Sequence, residues 1–531
     1  MSRLVRRHNV IAFLKCAIAL LLLIPSAHVA FGQKKTDKKP PKQVNFYHSE
    51  YLLYDKDVVD AKRFIGNVRG EYQGTMFYCD SLYQYNNGDF DAFSNIRVVK
   101  GSDFTLTGEK LHFDNATKTA QVRNNVVLRD QEMTLTTNQL DYNLDTEVGH
   151  YFGGGTIVSN ANKNTLTSDV GYYHAKTETF YFRRKVVLKN PDYVVKSDTM
   201  QYNSASEITY FFGPTSIVGD KTTIYCENGY YNTKTDQSRF GKNARIISDK
   251  TILTGDSMFY DGKKEIGEVY RNVTIRDTTQ SYIISGNYGR HLEKSKSSFV
   301  TGKALMQQMF DKDTLFMHAD TLRATPDTSG KDIVYAYNHV KLFKKDLQGK
   351  CDSLIYSQAD STMRLYSDPI LWSGLNQITG DTIVLTTANG DLQHLYVNTN
   401  AFIISDALTE ADSAQTASSG KFNQIKGRNM TGSFVNNDLH SLYVEGNGQI
   451  IYFPKDEKKK SEPKPMGLNK GECSNIFITI RDNELIKLRM ETETNSKFSP
   501  MRLTDMTKLE LDNFQWRATE RPLKMEDVFE W

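Results

Sequence analysis

The chain has 531 residues, with 66 Lys and Arg against 63 Asp and Glu and 39% apolar residues. That composition argues against bulk disorder, and scattered lysines with a net charge of only +3 give no support to a nucleic-acid binder built on a basic stripe. A single apolar run approaches membrane length, so this is not a polytopic membrane protein.

That run comes first in the chain. Arg3, Arg6 and Arg7 precede an apolar stretch over residues 10–24, and Ala30-Phe31-Gly32 offers small residues where a cleavage site needs them. This is the order of a secretory signal peptide spanning residues 1–32; a retained N-terminal anchor is the other reading. Removing it takes away four basic residues and no acid, which leaves a net charge of −1. Residues 33–46 then read as a basic, proline-containing linker.

From residue 47 to residue 452 the sequence repeats. Gly108-Glu109-Lys110-Leu111-His112-Phe113, Asn138-Gln139-Leu140-Asp141-Tyr142, Ser197-Asp198-Thr199-Met200-Gln201-Tyr202 and Gly255-Asp256-Ser257-Met258-Phe259-Tyr260 share one pattern. With the Leu or Met as position zero, the unit recurs at Leu52, Leu82, Leu111, Leu140, Gly171, Met200, Gly229, Met258, Gly289, Leu322, Leu354, Ile383 and Met430. Most spacings are 29–33 residues, and the longest contains a low-complexity loop at 408–420. Apolar residues alternate with period two, so the units are strands. A second strand per unit carries Asn125-Val126-Val127-Leu128, Lys185-Val186-Val187-Leu188, Asn243-Ala244-Arg245-Ile246 or Asn272-Val273-Thr274-Ile275. Polar turns such as Asp114-Asn115-Ala116-Thr117 and Asp261-Gly262-Lys263-Lys264 join the two. An apolar residue also stands five before position zero, as Leu253 does before Met258. Five is odd, so a bulge or corner at Gly255 and its equivalents is predicted to turn both residues to one interior. The expected fold is all-β: an elongated, stacked β-jelly-roll solenoid of bent antiparallel strands, about 13 units long. Neighbouring strands about 4.8 Å apart would extend such a stack on the order of 130 Å.

Residues 453–470 read as a second charged linker. Residues 471–531 read as a further hairpin through Asn475-Ile476-Phe477-Ile478, followed by a segment whose Phe514, Trp516 and Trp531 are expected to cap the open end.

The acid-x-Leu/Met-x-Tyr hairpin, the short turn, the Asn-Val-x-Leu strand and the Gly-acid corner resemble the OstA-like family, periplasmic lipopolysaccharide-transport proteins and the N-terminal domain of their outer-membrane partner. The resemblance implies a slightly twisted, V-shaped jelly roll whose apolar interior shields lipid acyl chains. It also implies end-to-end stacking with other jelly-roll components by β-augmentation, and membrane contact through those partners. The expected activity is therefore lipopolysaccharide binding and transport in the periplasm, with no cofactor and no catalysis. An exported parallel β-helix acting as an adhesin or glycan-processing protein, or a purely structural envelope scaffold, are the alternatives.

No nucleophile elbow, phosphate loop, dinucleotide fingerprint or zinc-ligand spacing occurs. Asp80, Asp169, Asp198, Asp256, Asp320, Asp352 and Asp381 share one phase, which suits turn chemistry, each carboxylate accepting backbone N–H bonds at a corner. Cys79, Cys226 and Cys351 fall at one small-residue position, and only a Cys351–Cys473 disulfide stays open. The candidate site is the interior: Leu111, Phe113, Val126, Leu128, Leu140, Tyr142, Val186, Leu188, Met200, Tyr202, Met258, Tyr260, Val273 and Ile275. Position zero alternates Gly171, Met200, Gly229, Met258, Gly289. Either this is core interdigitation, or the glycines widen a groove walled by adaptable methionines.

Overall fold

A computed structural model describes residues 44–531 apart from 73, 103, 130–132, 160–163, 204, 221, 233, 249–250, 278–280, 293, 311–312, 389–390, 408–419, 436–437, 455–464, 482–483 and 505–508. The expected signal peptide and nearly all of the basic linker, the low-complexity loop and most of the second linker lie outside the described residues. The chain divides into two compact units, one of residues up to 249 with 256–267, the other of residues 250–255 with 268–531.

Thirty-two strands make up most of the described residues, and the helices among them are short 3₁₀ turns. Each described ladder is antiparallel, as between Phe104–Asp114 and Thr119–Arg129 or between Ser297–Met309 and Thr314–Pro326. The parallel β-helix is thereby ruled out. Two strands form each repeat, one bearing position zero and one the Asn-Val segment, joined by the expected turns. Asp114 Oδ1 accepts the backbone N–H groups of Ala116 at 2.8 Å and Thr117 at 3.0 Å, and Asp261 Oδ1 accepts that of Lys264 at 3.0 Å. Those turn bonds hold the Asp114 carboxyl below its ordinary value, the Thr117 amide foremost.

Most of the long ladders shift register at mid-length, but the device differs from the predicted one. Gly255 has no left-handed backbone; the left-handed residues lie on the partner strand, in consecutive pairs such as Asn124-Asn125, Lys242-Asn243, Arg271-Asn272 and Thr399-Asn400. Thr107 pairs with Val127 and Lys110 with Arg123, so the partner strand uses four residues where its neighbour uses three. The unequal step reconciles an even spacing on the partner strand, where Phe182 and Val186 four apart are both buried, with the odd spacing of five on its neighbour, where Val195 and Met200 are both buried. Asn, which tolerates positive φ, is the residue that the Asn-Val segments supply there.

The corner carboxylates also take a different partner. Asn95 donates its side-chain amide to Asp80 at 2.8 Å, Asn243 to Glu227 at 2.7 Å and Asn400 to Asp381 at 3.0 Å, while His339 Nδ1 lies 2.8 Å from Asp320. At these corners the acids are tied to side chains of the left-handed residues, where backbone donors were expected. Gly255 and its equivalents serve close approach. A Cβ at Gly108, Gly255, Gly286, Gly380 or Gly427 would collide with Cγ1 of Val122, Val269, Val300, Val397 or Val444 on the next strand.

Beyond residue 464 the strand Gly467–Arg481 begins inside the expected linker and pairs with Glu484–Glu491 and Asn495–Pro500, the predicted last hairpin. The aromatic segment does not cap its end. Residues 509–531 run back across the outer face of earlier strands, where Phe514 and Trp516 pack on Phe422 at ring separations of 5.2 and 5.0 Å.

Candidate functional site

Bent strands put an apolar face on the inside of each arm, and the arms meet across the interior. In the first unit the rings of Phe77 and Phe90, on opposite arms, lie 6.2 Å apart, and those of Tyr72 and Phe113 lie 6.4 Å apart. In the second unit the Tyr282 hydroxyl reaches the Asp332 carboxylate at 3.4 Å. Burial and the nearby acids push the Tyr282 phenol well above its ordinary value.

The fourteen residues expected to line the interior are not equally accessible. Val126, Val186, Leu188, Met200, Tyr202, Met258, Tyr260 and Val273 are sealed in the core, with Met200 and Tyr202 at 0% exposure. Phe113 and Leu140 are nearly so. Leu111, Leu128, Tyr142 and Ile275 keep part of their surface open. Gly171 and Gly229 of the alternating series do not widen a groove. The Tyr151 ring fills the space over Gly171, its hydroxyl 2.7 Å from Ser168 Oγ, and Phe240 with the Arg239 carbonyl fills that over Gly229. At these two positions interdigitation is the correct reading.

The accessible interior lies nearer the start of the first unit. Phe64, Val68, Leu82, Ala92 and Ile96 form a buried floor, and Phe46, Phe77, Phe90, Val98 and Leu111 stand on it half-buried. The rings form a continuous series: Phe46 stacks on Phe64 at 4.1 Å and meets Phe77 edge-on at 6.0 Å, and Phe90 stacks on Phe113 at 5.1 Å. Gly70 leaves the room that the Phe77 ring occupies. Sequence reasoning missed Phe46, Phe77 and Phe90 as lining residues, although Phe77 stands at the repeated position five before zero. In the second unit the equivalent interior, from Val300 and Leu322 to Val444 and Ile476, is a closed core.

Around Tyr85, Asp91 and His112 the outer surface is polar where the inner one is apolar. His112 Nδ1 lies 2.6 Å from Asp91, which also accepts a bond from the Tyr85 hydroxyl at 2.8 Å; burial and then Asp91 push the Tyr85 phenol up to about 12. Open polar hollows of about 550 and 690 Å³ follow the corners, lined by residues such as Asn125, Asn138, Asp169 and Lys185. Among the described residues no three His, Cys, Asp or Glu side chains stand close enough together to hold a metal ion. Cys79, Cys226, Cys351 and Cys473 are buried free thiols, so Cys351 and Cys473 are not joined.

The family model described as OstA-like protein matches residues 42–198 and 194–256, nearly all of them in the first unit. The model described as LptA/(LptD N-terminal domain) LPS transport protein matches residues 283–391, within the second. No curated protein matches. Among solved structures, the crystal structure of LptH, the LptA homologous periplasmic component of the conserved lipopolysaccharide transport device from Pseudomonas aeruginosa, is similar at 16% identity over 20% of this chain and 82% of that one. Its TM-score is 0.19. Related family models thus match part of each unit, and the chain belongs to the OstA-like family of lipopolysaccharide-transport proteins.

Proposed function

We propose that this chain is a non-catalytic, periplasmic lipopolysaccharide-binding protein that shields acyl chains on their way between the inner and outer membranes. The observation that carries the reading is the half-open phenyl series Phe46, Phe77 and Phe90, continued by the nearly buried Phe113, over a sealed apolar floor. In the second unit the equivalent interior is closed by its own side chains; here apolar surface stays accessible on the inward face of a bent sheet. Each buried methylene contributes about 0.8 kcal/mol, so a few turns of acyl chain against these rings bind without covalent chemistry.

Partners follow from the edges. The strands Asn45–His48 and Tyr51–Asp55 pair with Val59–Tyr72, and Tyr51, Leu52, Leu53 and Tyr54 are all exposed. An edge of this kind accepts another jelly-roll component by β-augmentation.

The test is photo-crosslinking in cells with p-benzoylphenylalanine at Phe90, and at the outward-facing Tyr83 as control. Lipopolysaccharide adducts at position 90 and not at 83 are expected. Absence of lipid at both positions in exported, folded protein leaves the envelope-scaffold reading instead.

A further inference from the structure

The segment after Asn495–Pro500 is held by a repeated side-chain device. Gln424, Gln377 and Gln348 each stand six residues before position zero in three successive units, and they are 0%, 1% and 3% exposed. Gln424 donates its amide to the Leu509 carbonyl at 2.6 Å and accepts the Leu511 N–H at 2.8 Å. Gln377, one unit away, does the same six residues further along the segment, donating to the Gln515 carbonyl at 2.7 Å and accepting the Arg517 N–H at 2.7 Å. Each amide thus brackets one residue as the backbone of a neighbouring strand would. Gln348 accepts from Arg521 Nε at 2.8 Å.

Between the brackets the outer face is apolar: Phe402, Ile404, Phe422, Ile451 and Phe453 are buried with Leu511, and Phe514 and Trp516 pack on them. An ionic anchor follows. Arg517 binds both oxygens of Asp368 at 2.9 Å and both of Glu520, and Lys350 reaches Glu520 at 2.5 Å. The last turn is looser. Phe529 and Trp531 meet His318 and His339 at 4.8 and 4.7 Å yet remain 40% and 56% exposed.

We propose that this outer face is a binding groove for an extended peptide, that its ligand is the chain's own residues 509–531, and that the strap leaves and rebinds as one piece while the sheet beneath stays folded. Several features point to separability. The strap adds no strand to the ladder, its attachment depends on side chains, and its end is half exposed. The Trp372 indole N–H, in register between Gln348 and Gln377, is buried without a hydrogen-bond partner, so the docked strap leaves the face incompletely satisfied.

Hydrogen exchange on the full chain tests this directly. The Leu511 and Arg517 amides are expected to exchange at a common rate, at least about tenfold faster than ladder amides of Phe422–Val435. Gln377→Met, which removes one bracket, is expected to raise exchange at both amides by about thirty-fold and to leave Phe422–Val435 unchanged. A labelled peptide of the 509–531 sequence, added to the native chain, is expected to be taken up at the rate of strap opening. Strap amides that exchange only in step with Phe422–Val435, a Gln377→Met effect confined to Arg517, or no uptake of the peptide each overturn the proposal. The first and last of these need no variant to fold.

Discussion

Replacing Asn243 by valine isolates the corner device. Asn243 sits at φ +55° next to Lys242 at +48°, its side chain is exposed, and its amide donates to Glu227 at 2.7 Å. A β-branched residue held left-handed costs roughly 1–2 kcal/mol. Loss of an exposed amide-to-carboxylate bond costs about 0.5–1 kcal/mol. Asn243→Val is therefore expected to lose about 1.5–3 kcal/mol, and Asn243→Gly only about 1 kcal/mol or less, because glycine keeps the backbone and loses just the amide. At roughly 2–4 °C per kcal/mol for a unit of this size, calorimetry of the full chain should show the first unit melting about 3–12 °C lower in the valine variant. The glycine variant should fall by less than about 4 °C. Equal losses in the two variants would show that the left-handed backbone is not what shapes the corner.

Other expectations are narrower. Gly171→Ala must displace the Tyr151 ring and its bond to Ser168, so a loss of about 1–3 kcal/mol in urea unfolding is expected, whereas a silent substitution would mean room to spare over Gly171. The Glu520 carboxyl is held down to about 2, by its bonds from Arg517 foremost and by Lys350. Its contribution to strap docking is thus fully present above about pH 4.5 and lost as pH falls toward 2, which exchange at Arg517 across that window will read. Burial pushes the thiols of Cys79, Cys226 and Cys351 up to about 12, so a thiol reagent at pH 8 should label none of them until the chain is unfolded.

The repeat, its strands and its turns were legible because one residue pattern is imposed a dozen times over, and each copy corrects the noise of the others. The corner was harder. Asn125, Asn243 and Asn272 were visible at one register, but beside Val126, Ala244 and Val273 they look like the start of a strand, and only the paired positive φ angles reveal them as its bend. Gly255 misled for the complementary reason: a glycine can mean a special backbone or a close neighbour, and Val269 was the neighbour. The lipid-facing residues were only partly legible because phase predicts which way a side chain points and not how far its neighbours cover it. Met200 and Leu111 share a phase, yet one is sealed and the other half-open. The strap left a signal that went unread. Gln348, Gln377 and Gln424 share a register, and Phe402-Ile403-Ile404 and Ile370-Leu371-Trp372 are continuous apolar runs, as strands buried on both faces require.

The glycine–valine contacts have a bearing on how such a chain finds its own order. Strands that look alike can pair with the wrong copy, one or several repeats away, and keep every hydrogen bond of the ladder. Val122 next to Gly108 fits because nothing stands at Cβ; at the same position other copies carry Ser168, Ser197, Cys226, Ala319 or Cys351. A mis-stacked hairpin would bring a valine methyl onto one of those side chains and be pushed apart. Five glycines thus set the valine-bearing copies apart from those with a larger side chain at that position, and reduce the number of neighbours with which a strand can mispair.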